Sequence, residues 1–227
     1  MNHSKSIALP FADRTAAGRA LALRVAALAP VRPVVLALPR GGVPVAFEVA
    51  RALRAPLDLL LVRKIGVPYQ PELALAAVMD GAEPVLVVDR TVQRETGIGA
   101  DVIDRLAQVQ RAEIERRRKV YLGDHAPIPL AGCTAIVVDD GIATGTTVRA
   151  ALQGLRQRRP ARIVLAVPVA PTAVVDMLRP EVDALICLAQ PEPFGAIGFY
   201  YEDFHQLDDA DVIALLRSTG AEISRQR

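Results

Sequence analysis

Short, wholly apolar runs alternate along this chain with stretches whose apolar positions recur every three to four residues, and that rhythm predicts the order of elements. Helical periodicity from about Arg14 to Leu28 predicts an amphipathic helix with Asp13 as its N-cap, ended by Pro30 and Pro33. Val34 to Leu38 fits a buried strand, Pro39 to Gly42 a tight loop, and Val43 to Leu53 a helix with Pro44 in its first turn. Leu57 to Val62 predicts a second strand. Ala74 to Val78 and Val85 to Val88 read as a hairpin around Asp80-Gly81, a turn-forming pair. A long helix follows from about Ala100 to Val120, with Ile103, Leu106 and Val109 on one face and Glu113–Arg117 and Glu115–Lys119 as i,i+4 ion pairs. Ile136 to Val138, Ile163 to Val167 and Ala184 to Leu188 complete the strands, and the helix after the first of these carries a polar end at Gln153 to Arg159. Strands alternating with helices predict an α/β fold, a parallel sheet covered on both faces. The chain shows no internal repeat or linker, so residues 1–227 are expected to form a single domain.

Composition agrees with one enzyme-sized core: 227 residues, 52% hydrophobic and 23% charged. A net charge of +2 demands no nucleic-acid stripe, although arginines far outnumber lysines and could gather around a polyanionic small molecule. Arg116-Arg117-Arg118-Lys119 near the end of the long helix suits the helix dipole and reads as a solvated face, and no aromatics interleave with it as nucleic-acid binding would ask. Cys133 and Cys187 lie in apolar strand contexts without metal-ligand spacing, which predicts small buried hydrophobes in a reducing, cytoplasmic compartment. The first residues lack the apolar stretch of a signal peptide, and no run approaches a membrane span, so no membrane association is expected. His3, His125 and His205 are scattered and form neither a metal set nor a triad; His3 is expected to be disordered.

Most of the chemical information lies in Ala135 to Thr147, AIVVDDGIATGTT. A β-branched run suited to an interior parallel strand ends in Asp139 and Asp140, at the carboxyl edge where open α/β sheets bind ligands. Gly141 to Thr147 then has the composition of a loop that wraps a phosphate. Gly145 allows close backbone approach, Thr144, Thr146 and Thr147 offer hydroxyls, and the amides opening the next helix face an anion. Two carboxylates are poor phosphate ligands but suit the vicinal hydroxyls of a ribose. The spacing lacks the lysine and glycine offset of a P-loop, and no G-x-G-x-x-G is present.

This segment resembles the phosphoribosyl-pyrophosphate signature of the type I phosphoribosyltransferases: four apolar residues, two acids, then small residues ending in Thr-Gly-x-Thr. Gly141 departs from it, standing where the family usually has an aliphatic residue. RKIGVPYQPELALAAV and GFYYEDF further make the chain similar, over roughly Leu36 to Leu216, to a bacterial group of predicted phosphoribosyltransferases of unknown acceptor. The resemblance implies a type I phosphoribosyltransferase-like parallel sheet flanked by helices, with a small hood to which residues 189–206 contribute. It implies a Mg²⁺-dependent reaction at the anomeric carbon of phosphoribosyl pyrophosphate, the metal arriving with the donor's pyrophosphate and taking no direct protein ligand. Asp139, Asp140, Arg40 and Lys64 become the catalytic candidates. Arg40, Gly41 and Gly42 become the pyrophosphate loop, and Ala143, Thr144, Gly145, Thr146 and Thr147 the 5-phosphate loop. Some members carry a carboxylate where this chain has Ala143, so a general base is missing there and purine 6-oxo specificity is disfavoured.

Arg63 to Glu72, rich in Gly and Pro, reads as a loop at the ligand edge and, in that context, as a mobile flap bearing Arg63 and Lys64. The hood would read the acceptor, an unidentified small molecule such as a nucleobase, through Phe199, Tyr200 or Tyr201. Phe194 and Phe204 complete the aromatic cluster, of which at least three members are expected to fill the hood's own core. Of two adjacent tyrosines, one should face the site and one should pack beneath. The expected function is a phosphoribosyltransferase releasing pyrophosphate. The alternatives are a non-catalytic regulator that binds the same donor and a hydrolase of it. A homodimer is compatible with all three readings.

Overall fold

The computed structural model describes residues 8–81 and 84–225, so His3 and its expected disorder lie outside the described residues. A five-stranded parallel sheet has the order β2-β1-β6-β7-β8, formed by Leu57–Leu59, Pro33–Ala37, Thr134–Val138, Arg162–Val169 and Ala184–Ala189 respectively. Helices α2 (Gly42–Leu53), α5 (Thr146–Gln157) and α6 (Thr172–Leu178) make the crossovers between parallel neighbours, as parallel pairing requires. Alternation along the strands supplies both faces. Val35, Ala37, Ile136, Val138, Val164 and Ala166 pack toward α1 (Arg14–Ala26) and α2. Val34, Leu36, Ala135, Val137, Ile163 and Leu165 pack toward α5 and α6. Asp13 caps α1, its carboxylate accepting from Ala16 N at 2.6 Å.

The expected strand over Leu57 to Val62 is broken in two. Beyond β2 the chain leaves the parallel sheet and is held by Asp80, 19 positions on: Leu61 N donates to the Asp80 carboxylate at 3.1 Å while Asp80 N donates to Leu61 O at 2.9 Å. Val62–Val67 then becomes β3, the first strand of a second, antiparallel sheet completed by β4 (Gln70–Met79) and β5 (Val85–Val88). The predicted loop at Arg63 to Glu72 is therefore a paired hairpin, turning at Pro68-Tyr69. A bulge at Gly66 lets the two strands close, since a β-carbon there would collide with the Pro71 carbonyl. The β4–β5 hairpin pairs as expected, Met79 opposite Val85.

Helix α3 (Arg90–Thr96) precedes the long α4 (Ala100–Leu122), which buries Ile103, Ala107, Ile114 and Tyr121. Val109, expected on that face, is exposed. The last helix, α7 (Asp209–Arg225), packs on α2 and α4. Arg116 and Arg117 do form a solvated pair set with Glu113, which holds that carboxyl down at about 2, chiefly through Arg116. Arg118 does not belong to that face. Its side chain turns inward to the buried Asp80 at 2.7 Å and Asp58 at 3.5 Å. Cys133 is buried and Cys187 half-buried, both unbridged, and burial raises the Cys187 thiol to about 11. Among the described residues no helix is long and apolar enough to cross a membrane.

Candidate active site

Strands β1 and β6 are hydrogen-bonded neighbours in register, Ala37 opposite Val138, so their carboxyl ends finish side by side. Leu38 N donates to Val138 O at 2.9 Å and holds the two exits together. The loops that follow consequently interlock. A β-carbon on Gly41 would fall within the Asp140 carboxylate, and one on Gly42 would lie 2.7 Å from Val138 O and 2.9 Å from Asp139 Cα. Only glycine lets the first loop come this close to the acids.

The two acids differ. Asp139 is half-buried, and its Oδ1 accepts from Asp140 N at 2.9 Å. Desolvation, then the neighbouring charge of Asp140, raise its carboxyl well above the ordinary range. Asp140 is buried, with its Oδ2 on Arg14 Nε at 2.8 Å and its carbonyl accepting from the Tyr201 hydroxyl at 2.5 Å. Arg14 is the residue that sequence reasoning missed here, because its partner is 126 positions away.

Past the acids, Ile142 N is tied to Val169 O at 3.0 Å, and the exposed Ala143, Thr144, Thr146 and Thr147 wrap the amino end of α5. Gly145 adopts φ +76°, and a β-carbon there would also meet Met177 at 2.8 Å. Gly141 has its own cause: Ile197 of the hood and Val169 fill the space, a β-carbon coming within 2.7 and 3.0 Å of them. The aliphatic bulk that the signature usually carries at this position is supplied from elsewhere in the chain.

Arg40 is partly exposed, its guanidinium 3.8 Å from the Asp209 carboxylate of α7. Lys64 and Arg63 are separated by strand alternation. Arg63 Nε donates to Gln110 of α4 at 3.0 Å, away from the crevice. Lys64 instead lines a cavity of about 510 Å³ with Thr144, Thr146, Thr147, Arg90 and Arg149, floored by alanines of β4. Its ammonium is only loosely paired with Glu72, at 3.4 Å. The acids and Arg40 do not line this cavity.

The hood strap bridges back to the N-terminal segment, with Phe11 N donating to Tyr200 O and Glu202 N to Phe11 O, both at 2.8 Å. Tyr201 packs beneath, its ring 5.0 Å from that of Phe204, and burial raises its hydroxyl far above the ordinary range. Tyr200 is half-buried against Phe194, and Phe199 is 75% exposed.

Residues 15–179 match the family model described as "Phosphoribosyl transferase domain". Two Mycobacterium tuberculosis proteins, each named "Putative phosphoribosyl transferase", are 47% identical over 206 residues, 91% of this chain and 46% of theirs. The chain thus spans about half the length of these curated relatives. The crystal structure of TT1426 from Thermus thermophilus is 41% identical and superposes with a TM-score of 0.84, covering 92% of this chain and 99% of that one.

Proposed function

The chain belongs to the phosphoribosyl transferase domain family, and on that premise we propose that it moves the ribose 5-phosphate group of phosphoribosyl pyrophosphate to a nitrogen nucleophile such as a nucleobase, releasing pyrophosphate. The observation that carries this reading is the packing of Gly41 and Gly42 directly against Asp139 and Asp140, with the hydroxyl loop leaving from the same strand end. An anion-binding loop, an acid pair and a second anion-binding loop in that order match pyrophosphate, ribose hydroxyls and 5-phosphate.

The amides at Gly41 and Gly42 and the Arg40 guanidinium receive the pyrophosphate, Arg40 exchanging the distant Asp209 for a closer partner. Asp139 and Asp140 accept hydrogen bonds from the ribose hydroxyls. As the anomeric carbon–oxygen bond breaks, their negative charge opposes the positive charge that develops on the ring. Ala143 to Thr147 hold the 5-phosphate and so fix the sugar against the incoming nitrogen. The new carbon–nitrogen bond forms there and the nitrogen's proton leaves to solvent, since Ala143 offers no base. Lys64, on the hairpin over the far side of the loop, adds a cation that a closing flap would carry toward the phosphates. The acids stand beside the pyrophosphate loop, Asp139 Oδ1 next to Gly42, so a magnesium ion arriving with the donor would be held by phosphate and water oxygens near these carboxylates without a direct protein ligand. Held in that way, a magnesium ion would supply positive charge against that of the leaving pyrophosphate. The acceptor rests on the hood beside Phe199 and Tyr200, and the reaction takes place in the cytoplasm.

A mass-based assay for pyrophosphate release, with and without a nucleobase panel, tests the reading. Release that requires an acceptor supports it. Equal release without any acceptor points to donor hydrolysis, and donor binding with no release to a regulator.

A further inference from the structure

Arg14 occupies the first position of α1, in the turn where the helix dipole favours anions and disfavours cations, yet it is buried. Nothing in helix formation asks for a cation there. Each face of its guanidinium environment is accounted for by something else: Nε lies 2.8 Å from Asp140 Oδ2, Nη1 donates to His205 O at 3.0 Å, and the guanidinium carbon lies 3.8 Å from the centre of the Phe204 ring. Phe204 in turn stacks on Tyr201, whose hydroxyl donates to the Asp140 carbonyl. Asp140 is therefore gripped at its carboxylate and at its backbone by one continuous assembly that runs from α1 through the hood.

We infer that Arg14 is a positioning residue for the donor site: through its ion pair it sets the carboxylate of Asp140 for a ribose hydroxyl, and it ties that setting to the hood. The inference rests on the reading of Asp140 as a ribose ligand. A carboxylate has about four lone-pair directions and Arg14 Nε takes one of them on Asp140 Oδ2, so accepting capacity remains for a ribose hydroxyl. Without Arg14, two adjacent carboxylates would face one another with no cation against either, and Asp140 would be free to rotate away from Gly41. The planar guanidinium is what the arrangement needs, because a single head group must pair with a carboxylate, donate to a carbonyl and lie flat on a ring.

The test compares ribose 5-phosphate with its 2-deoxy and 3-deoxy counterparts by calorimetry on the full chain, with pyrophosphate as a ligand that has no sugar hydroxyl. The wild-type protein should prefer the hydroxylated sugar about tenfold or more, the scale of a hydrogen bond to a charged group. In Arg14→Met that preference should collapse while pyrophosphate affinity stays unchanged, a selectivity that a purely structural strut would not produce. An Arg14→Met protein that retains the wild-type preference overturns the inference. Should that variant fail to fold, Arg14→Lys keeps the charge and loses the fork and the stacking; a reduced preference supports the inference and an undiminished one overturns it. A wild-type protein that binds ribose 5-phosphate no better than either deoxy sugar overturns the acid-pair assignment itself, and so is distinguishable from failure of Arg14 alone.

Discussion

Asp139 is the site residue whose chemistry depends most on its surroundings. Desolvation and the adjacent Asp140 raise its carboxyl, while Arg14 and the Asp140 amide oppose the rise. The sign follows directly. The native state binds a proton more readily than the unfolded chain, so this group adds stability as pH falls through the raised window, the reverse of a salt-bridged aspartate. Donor binding runs the other way, because the ionised carboxylate is the stronger acceptor for a ribose hydroxyl and carries the charge that opposes the developing positive ring. Affinity for phosphoribosyl pyrophosphate should therefore start to fall at a pH above the ordinary aspartate range, and Asp139→Asn should flatten that dependence in calorimetric titrations. Asp139→Asn is the cleaner substitution, since changing Asp140 would also strand Arg14 as a buried, unpaired cation. A second expectation concerns Gly41. Alanine there would drive its methyl into the Asp140 carboxylate, so Gly41→Ala should lower donor affinity at least tenfold and cost about 1–3 kcal/mol in stability, read by calorimetry and thermal unfolding. Gly41, Gly42 and both acids are legible from sequence as parts of one ligand edge because each set closes an apolar strand; that the two strands are neighbours comes from the fold. Arg14 is not, since a long-range partner leaves no local pattern; its one signal is a cation in a helix's first turn.

Among the elements, the parallel strands β1, β6 and β7 were legible because they are buried on both faces and apolar at all but their first positions. The β3–β4 hairpin was not. Val62 to Glu72 mixes glycine, prolines and charges, which is loop composition, while the pairing that makes it a hairpin comes from the bulge at Gly66 and the Pro68-Tyr69 turn. Arg63 and Lys64 consequently serve different surfaces, one on α4 and one on the cavity beside the hydroxyl loop. If this hairpin closes over bound donor, its backbone is protected along both strands and vulnerable only at the tip, where Tyr69 is 71% exposed. Chymotrypsin should cut after Tyr69 faster than trypsin cuts at Arg63 or Lys64, and phosphoribosyl pyrophosphate with magnesium should slow the Tyr69 cut. Unchanged cleavage at saturating ligand would remove the lid from the mechanism while leaving the acid pair untouched.

At the scale of the molecule, the two sheets are joined by a charged knot that no stretch of sequence announced. Asp80, at the end of β4, meets Arg118 of α4 at 2.7 Å and Arg158, just past α5, at 3.5 Å, while Asp58 of β2 accepts from Ile128 N at 2.9 Å and lies 3.5 Å from Arg118. Burial raises the Asp80 carboxyl while Arg158 and Arg118 pull it down, and burial lowers Arg158, so each charge depends on the others. Gly81 is part of the fit, because a β-carbon there would come within 2.5 Å of the Arg158 guanidinium. The knot stands at the carboxyl end of α5, whereas the hydroxyl loop stands at its amino end, a separation of about 18 Å for a 12-residue helix. Its role should therefore be separable from the donor site. Asp80→Ala leaves two largely buried arginines without their shared partner, which should cost about 3–5 kcal/mol and lower the melting temperature by roughly 6–20 °C in a chain of this size. Below its own melting range the same variant should bind phosphoribosyl pyrophosphate with wild-type affinity, because α5 transmits no contact from Arg158 to the Thr144–Thr147 hydroxyls except through its own rigid backbone. A variant that lost donor affinity while keeping its melting temperature would show that the knot sets the position of α5 and its phosphate-binding end, and that the joint between the sheets belongs to the site after all.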